Sequence, residues 1–103
     1  MKYKKFKVKE GREAQWRSWC LSLIHEKAQV LETMKEEAVT RETCWIKDGF
    51  VYYGMEGLCL PATDREINRL HKQNRRECLE VPGEFIESVP NGSEVLFDFN
   101  LPS

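Results

Sequence analysis

"VTRETCWIKDGFVYYGMEG" (residues 39–57) is the stretch from which the fold can be read. Asp48-Gly49 is a favoured two-residue hairpin turn, because glycine accepts a positive φ without a steric cost. A turn at that point sets the register of everything around it. Lys47 faces Phe50, Ile46 faces Val51, Trp45 faces Tyr52, Cys44 faces Tyr53, Thr43 faces Gly54 and Arg41 faces Glu56. Side chains alternate along a strand, so each pair lies on one side of the hairpin. One face carries Cys44, Ile46, Val51, Tyr53 and Met55; the other carries Arg41, Trp45, Phe50, Tyr52 and Glu56.

Upstream, residues 2–9 alternate in the same way, with Phe6 and Val8 on one side and Tyr3, Lys5 and Lys7 on the other. Period two predicts a first strand with one buried face. Glu10-Gly11 then opens a helical pattern running to about Ala38. At roughly 100° per residue, Trp16, Trp19, Cys20, Leu23, Val30, Leu31 and Met34 fall on one arc. Downstream, "LPATDREINRLHKQNRRECLE" predicts a second helix, with Thr63 and Glu66 at the spacing of a capping box. Residues 81–93 are punctuated by Pro82-Gly83 and Pro90-Asn91-Gly92 and are read as loop, with room for a short extended piece within residues 84–89. "EVLFDFNL" closes the chain as a strand with Val95, Phe97, Phe99 and Leu101 on one face.

The expected order is strand, helix, strand, strand, helix, strand. That is the ferredoxin-like βαββαβ arrangement, an α+β fold with a four-stranded antiparallel sheet and both helices on one face. A length of 103 residues predicts one domain spanning 1–103. Sixteen basic residues against seventeen acidic ones give a net charge of −1, which offers no general attraction to nucleic acid or to an anionic membrane. The basic start "MKYKKFKVKEG" lacks the apolar run of a signal peptide or an anchor, so a cytoplasmic location is the default expectation. Cys20, Cys44, Cys59 and Cys78 are widely spaced without zinc-ligand spacing and read as small apolar residues. No metal and no cofactor is expected.

The sheet face without helices presents Tyr3, Trp45, Phe50, Tyr52 and Leu96 among Arg41, Glu56 and other charges. Large aromatics on a face that would otherwise meet water predict a homodimer formed through it. On the helices, three polar residues turn inward. Lys27 falls within the first apolar arc, and His71 and Asn74 lie close to Ile67 on the second helix. Together with Tyr53 they form a candidate pocket for a small polar metabolite, with His71 as a proton carrier and Lys27 or Asn74 holding a carbonyl or an anion. Glu37 and Glu77 are the expected partners of Lys27. The alternative is a non-enzymatic dimer with a filled core and no pocket.

The segments "FKVKEGREAQWRSWC", "VLETMKEEAVTRETCWI", "YYGMEG" and "HKQNRREC", with the short last strand, resemble a bacterial domain family of unknown function. That family is similar to a branch of the dimeric α+β-barrel superfamily, and the resemblance covers most of residues 3–80. It implies sheet-to-sheet homodimers with a pocket inside each protomer, between helices and sheet. Rhamnose-mutarotase-like and antibiotic-biosynthesis-type monooxygenase proteins share that superfamily. The mutarotases carry a histidine in a Tyr-x-x-x-His pattern of the first helix. Leu23 stands at the comparable position here and His25 projects to the opposite side, so mutarotase chemistry does not carry over residue by residue.

Overall fold

The computed structural model describes residues 1–102. Strands β1 (Lys2–Lys7), β2 (Val39–Lys47), β3 (Phe50–Gly57), β4 (Glu84–Ile86) and β5 (Glu94–Asn100) form one antiparallel sheet in the order β4-β1-β3-β2-β5. Helices α1 (Glu13–His25), α2 (Lys27–Glu36) and α3 (Glu66–Cys78) complete the α+β fold. The β2–β3 hairpin has the register read from Asp48-Gly49, from Lys47 opposite Phe50 to Arg41 opposite Glu56. Both turn residues have positive φ, 49° and 80°, as a type I′ turn requires.

Two features correct the four-stranded, two-helix expectation. The short piece at Glu84–Ile86 is a strand, and it takes the place beside β1. The closing strand β5 joins the other edge instead, pairing with β2. The first helical pattern is also broken in two. Glu26 leaves helical geometry (φ −106°, ψ 32°), its N–H bonds back to Leu23 and Ser22, and a second helix starts at Lys27. No glycine or proline marks this break.

The expected capping box at Thr63 and Glu66 does not form. Helix α3 begins at Glu66 after Arg65 with no side-chain cap. The Thr63 hydroxyl is drawn away to donate to Glu36 (3.1 Å) and to accept from Asn68 (3.1 Å).

The core lies between the sheet and the helices. Trp16, Cys20, Leu23, Val30 and Met34 pack on Cys44, Ile46, Val51, Phe97 and Phe99. Helix α3 behaves differently. It packs beside α1 and α2 but makes no close backbone approach to the sheet. Its C-terminal end is tied to the end of β1, through Lys9 N–H to the Cys78 carbonyl (2.8 Å) and Glu80 N–H to the Lys7 carbonyl (2.8 Å). A gap remains beneath the helix. No helix among the described residues is long and apolar enough to cross a membrane.

On the opposite sheet face, Tyr3 and Trp45 lean together with ring centroids 6.1 Å apart. With Met1 they close over Gly54, where an added Cβ would lie 2.5 Å from Met1 Sδ, 3.1 Å from Tyr3 Cε1 and 3.2 Å from Trp45 Cζ3. Gly54→Val is expected to push both rings off the sheet and to cost about 1–3 kcal/mol, as overpacking does. Urea denaturation reads this as a lower midpoint with an unchanged slope; an unchanged midpoint would refute the packing.

Candidate functional site

The gap beneath α3 is a cavity of about 590 Å³, opening to solvent on one side. That is the size of an ordinary small-molecule site. Its apolar walls include Val30, Met55, Ile67, Phe97 and Phe99. Its polar lining comes from β1 (Lys2, Lys4), α2–β2 (Thr33, Glu37, Glu42), β3 (Tyr53) and α3 (Asn68, His71, Lys72, Arg75).

Of the four residues expected in a pocket, the structure brings together two. Tyr53 and His71 line the cavity, with Tyr53 Oη 3.3 Å from His71 Nε2. Lys27 does not. The break at Glu26 makes it the first residue of α2, where it is exposed to solvent. Its expected partners are engaged elsewhere: Asn68 Nδ2 approaches Glu37 at 3.5 Å, while Glu77 accepts from Gln15 and Gln73. Asn74 faces α1 and lies outside the cavity. Its amide donates to the Leu70 carbonyl (2.9 Å) and its oxygen lies 3.5 Å from Gln15 Nε2.

Both ring nitrogens of His71, the residue expected to carry a proton, are engaged by neighbouring side chains. Trp19 Nε1–H donates to His71 Nδ1 at 3.0 Å. An indole nitrogen only donates, so Nδ1 is the bare nitrogen and Nε2 carries the proton. Nε2–H therefore donates to Tyr53 Oη, which leaves the Tyr53 hydroxyl proton free to point into the cavity. Burial, with the Arg75 charge adding to it, holds the imidazole pKa down to about 3. Burial likewise drives the Tyr53 phenol well above its ordinary range, so the phenol stays protonated.

The group that titrates near neutrality is Glu42. Its carboxyl sits in the cavity wall, and neither a side chain nor a backbone N–H among the described residues donates to it. Burial and then repulsion by Glu37 raise its pKa to about 7, against a smaller pull from Arg75. Glu37 is itself raised, mainly by burial. A signal for Glu42 was present in the sequence. It shares strand parity with Cys44 and Ile46 and lies opposite Met55, so it had to face the helices. Glu42 and Tyr53 are diagonal neighbours across β2 and β3 on that face, about 7 Å apart. The arrangement offers a carboxyl that can take or give a proton beside a hydroxyl that can donate to an oxygen. No cluster of three or more His, Cys, Asp or Glu side chains among the described residues is placed to hold a metal ion.

The sheet face expected to form a dimer carries Tyr3, Trp45 and Phe50, all partly exposed, with Glu56 exposed at its end. Tyr52 is covered by its neighbours at 5% exposure. Arg41 does not rely on Glu56. Its guanidinium makes two 3.1 Å bonds to Asp98, which also accepts from Thr43 at 2.7 Å. Leu96 leaves this face. A register shift between Cys44 and Trp45 puts Val95 opposite Trp45 at 55% exposure, and Leu96 packs against the core. Comparison of the chain with protein-family models, with curated proteins and with solved structures finds no match.

The two perturbed groups act on stability in opposite directions. Glu42 binds its proton more tightly folded than unfolded, so its contribution is full below pH 4.5 and is lost as pH rises towards 7. His71 binds its proton less tightly folded, so its contribution is full above pH 6.5 and is lost as pH falls towards 3. Between pH 4.5 and 6.5 the two slopes offset each other. Glu42→Gln removes the falling slope. The variant should gain on the parent steadily from pH 4.5 to 7, by on the order of 2–3 kcal/mol in all. Denaturation at a series of pH values measures it, and a constant difference between the two proteins would show that Glu42 is not perturbed.

Proposed function

We propose that the protein is a small homodimer that binds a small molecule in the helix–sheet cavity and moves a proton on it through Glu42. One observation carries this: a carboxyl group in the wall of a largely apolar cavity, without a hydrogen-bond partner. A buried carboxyl normally accepts hydrogen bonds or an ion pair. One left bare, and protonated up to about neutral pH, is poised for general acid–base work. Tyr53 supplies the complementary donor. A carbonyl oxygen bonded to the Tyr53 hydroxyl would place its adjacent carbon towards Glu42. Loss of a proton from that carbon then builds charge on an oxygen that already has its donor. In this assignment His71 is a positioning residue, orienting Tyr53 through Nε2–H.

Homodimerisation through the open sheet face belongs to the same proposal. It is supported by the Tyr3–Trp45 pair, the neighbouring Phe50, and the neutralisation of Arg41 by Asp98 within the chain. Kinship with the dimeric α+β-barrel proteins is supported by helices gathered on one sheet face with the cavity between them. The five-stranded order departs from the four-stranded pattern.

The test uses a panel of small ketones and keto acids in D₂O. NMR should show hydrogen–deuterium exchange beside the carbonyl of at least one compound, accelerated about 100-fold or more over buffer. Glu42→Gln should abolish the acceleration while the compound still raises the melting temperature. If no compound exchanges faster than in buffer, proton transfer is wrong; if none shifts the melting temperature, ligand binding is wrong as well. For the dimer, sedimentation should give twice the chain mass, falling to one chain for Trp45→Lys combined with Phe50→Lys. A parent protein that sediments as a monomer would remove the dimer from the proposal.

A further inference from the structure

The cavity holds a second bare group. Arg17, Arg41, Arg65 and Arg69 each meet a carboxylate, at 2.7 to 3.1 Å. Arg75 meets none among the described residues, and its Nε is buried with no hydrogen-bond partner. Its guanidinium carbon lies 5.6 Å from the centroid of the Phe6 ring, which supports the cation from one side. Its charge is felt at Glu42, Tyr53 and His71 alike, so it borders the same space as the proposed proton carrier. A donor left unpaired in a folded interior has to be accounted for. Glu42 does not account for it: the two stay apart and Glu42 keeps its proton to about pH 7.

We infer that the ligand of this cavity is a small organic monocarboxylate, its carboxylate held by Arg75 and its apolar body laid against Phe97 and Phe99. The inference rests on the cavity reading given above and adds the chemical class of the ligand. A guanidinium presents parallel N–H groups that match the two oxygens of a carboxylate. Lys4 stands near Arg75, with Nζ 5.7 Å from the centroid of the same Phe6 ring, and adds to the positive charge at that end of the cavity. Glu37 lines the cavity as well and, when ionised, opposes a second negative charge on the ligand, which disfavours dianions. Lys2 and Lys72, both exposed, also line the cavity, and basic side chains there raise the local concentration of anions. The apolar walls account for the remainder of the molecule. With the carboxylate on Arg75, the opposite end of the ligand lies towards Glu42 and Tyr53, where the proton would move.

Naphthalene-1-acetate and its uncharged amide form a matched pair of probes for the full-length protein. Binding is followed by shifts of cavity amide resonances. The acid should bind about tenfold or more tightly than the amide, the range expected for a charge-assisted contact. Arg75→Met should bring the two affinities together, and the variant's binding of the amide shows that its cavity is intact. Arg75→Lys should keep part of the preference. If the parent binds acid and amide equally, or Arg75→Met keeps the preference, the carboxylate class is wrong while the cavity reading stands. If neither probe shifts any cavity resonance, the cavity reading falls and this inference with it.

Discussion

A chain of two hydrogen bonds holds the working part of this molecule open. Trp19 on α1 donates to His71 on α3, and His71 donates to Tyr53 on β3. Three separate elements are fixed to one another through a single imidazole. The rings also meet at 5.9 Å and 6.0 Å, so stacking adds to the polar contacts. This bridge stands where α3 departs from the sheet. Along α3 the cavity is lined on both sides of it, by Ile67 and Asn68 before it and by Lys72 and Arg75 after it, and the core resumes at Cys78. Because both imidazole nitrogens are committed, the tautomer is fixed and the Tyr53 proton is directed outward. Position, protonation state and hydrogen-bond direction follow from one contact.

The same dry surroundings that keep His71 neutral keep Glu42 protonated. Burial disfavours the charged form of either group, and the chemical consequence is opposite for an acid and a base. The histidine is removed from the physiological range and the carboxyl is brought into it. The residue with the most suggestive chemistry therefore stays neutral, and an ordinary strand glutamate becomes the group whose proton is held to near neutrality. Glu37 strengthens the effect, since two neighbouring carboxylates do not readily ionise together.

The hairpin was legible because its information is local: a two-residue turn sets φ signs and register, and strand parity does the rest. The core followed from periodicity, and Trp16, Cys20, Leu23, Val30 and Met34 are all buried. Three things were hidden. The break at Glu26 has no glycine or proline to announce it, so Lys27 was carried along an arc that the chain abandons. The register shift beside Trp45 exchanges Val95 and Leu96 between faces, and such shifts depend on the neighbouring strand. The third strand pairing, β4 on β1, is a long-range contact made by three residues inside a loop-like segment. Two of the four residues expected in a pocket line the cavity for that reason. Tyr53 and His71 sit on unbroken elements, whereas Lys27 depended on continuity of a helix that breaks. Asn74, on the intact α3, turned towards α1 instead.

The sequence of α3 shows why a cavity exists at all. "EINRLHKQNRREC" offers few apolar side chains: Ile67 and Cys78 turn inward, while Leu70 stays largely in solvent. A helix so polar has little apolar surface to press against a sheet, and hydrophobic burial scales with that surface. It is held by its ends and by His71 instead. The space left is lined by polar as well as apolar groups, with Glu42, Arg75 and Asn68 among them. Replacing Glu42 and Arg75 with apolar residues would let the helix settle and would stabilise the fold. A chain that retains both, bare in the wall of one cavity, carries a local cost to stability of the kind found where a ligand completes the structure.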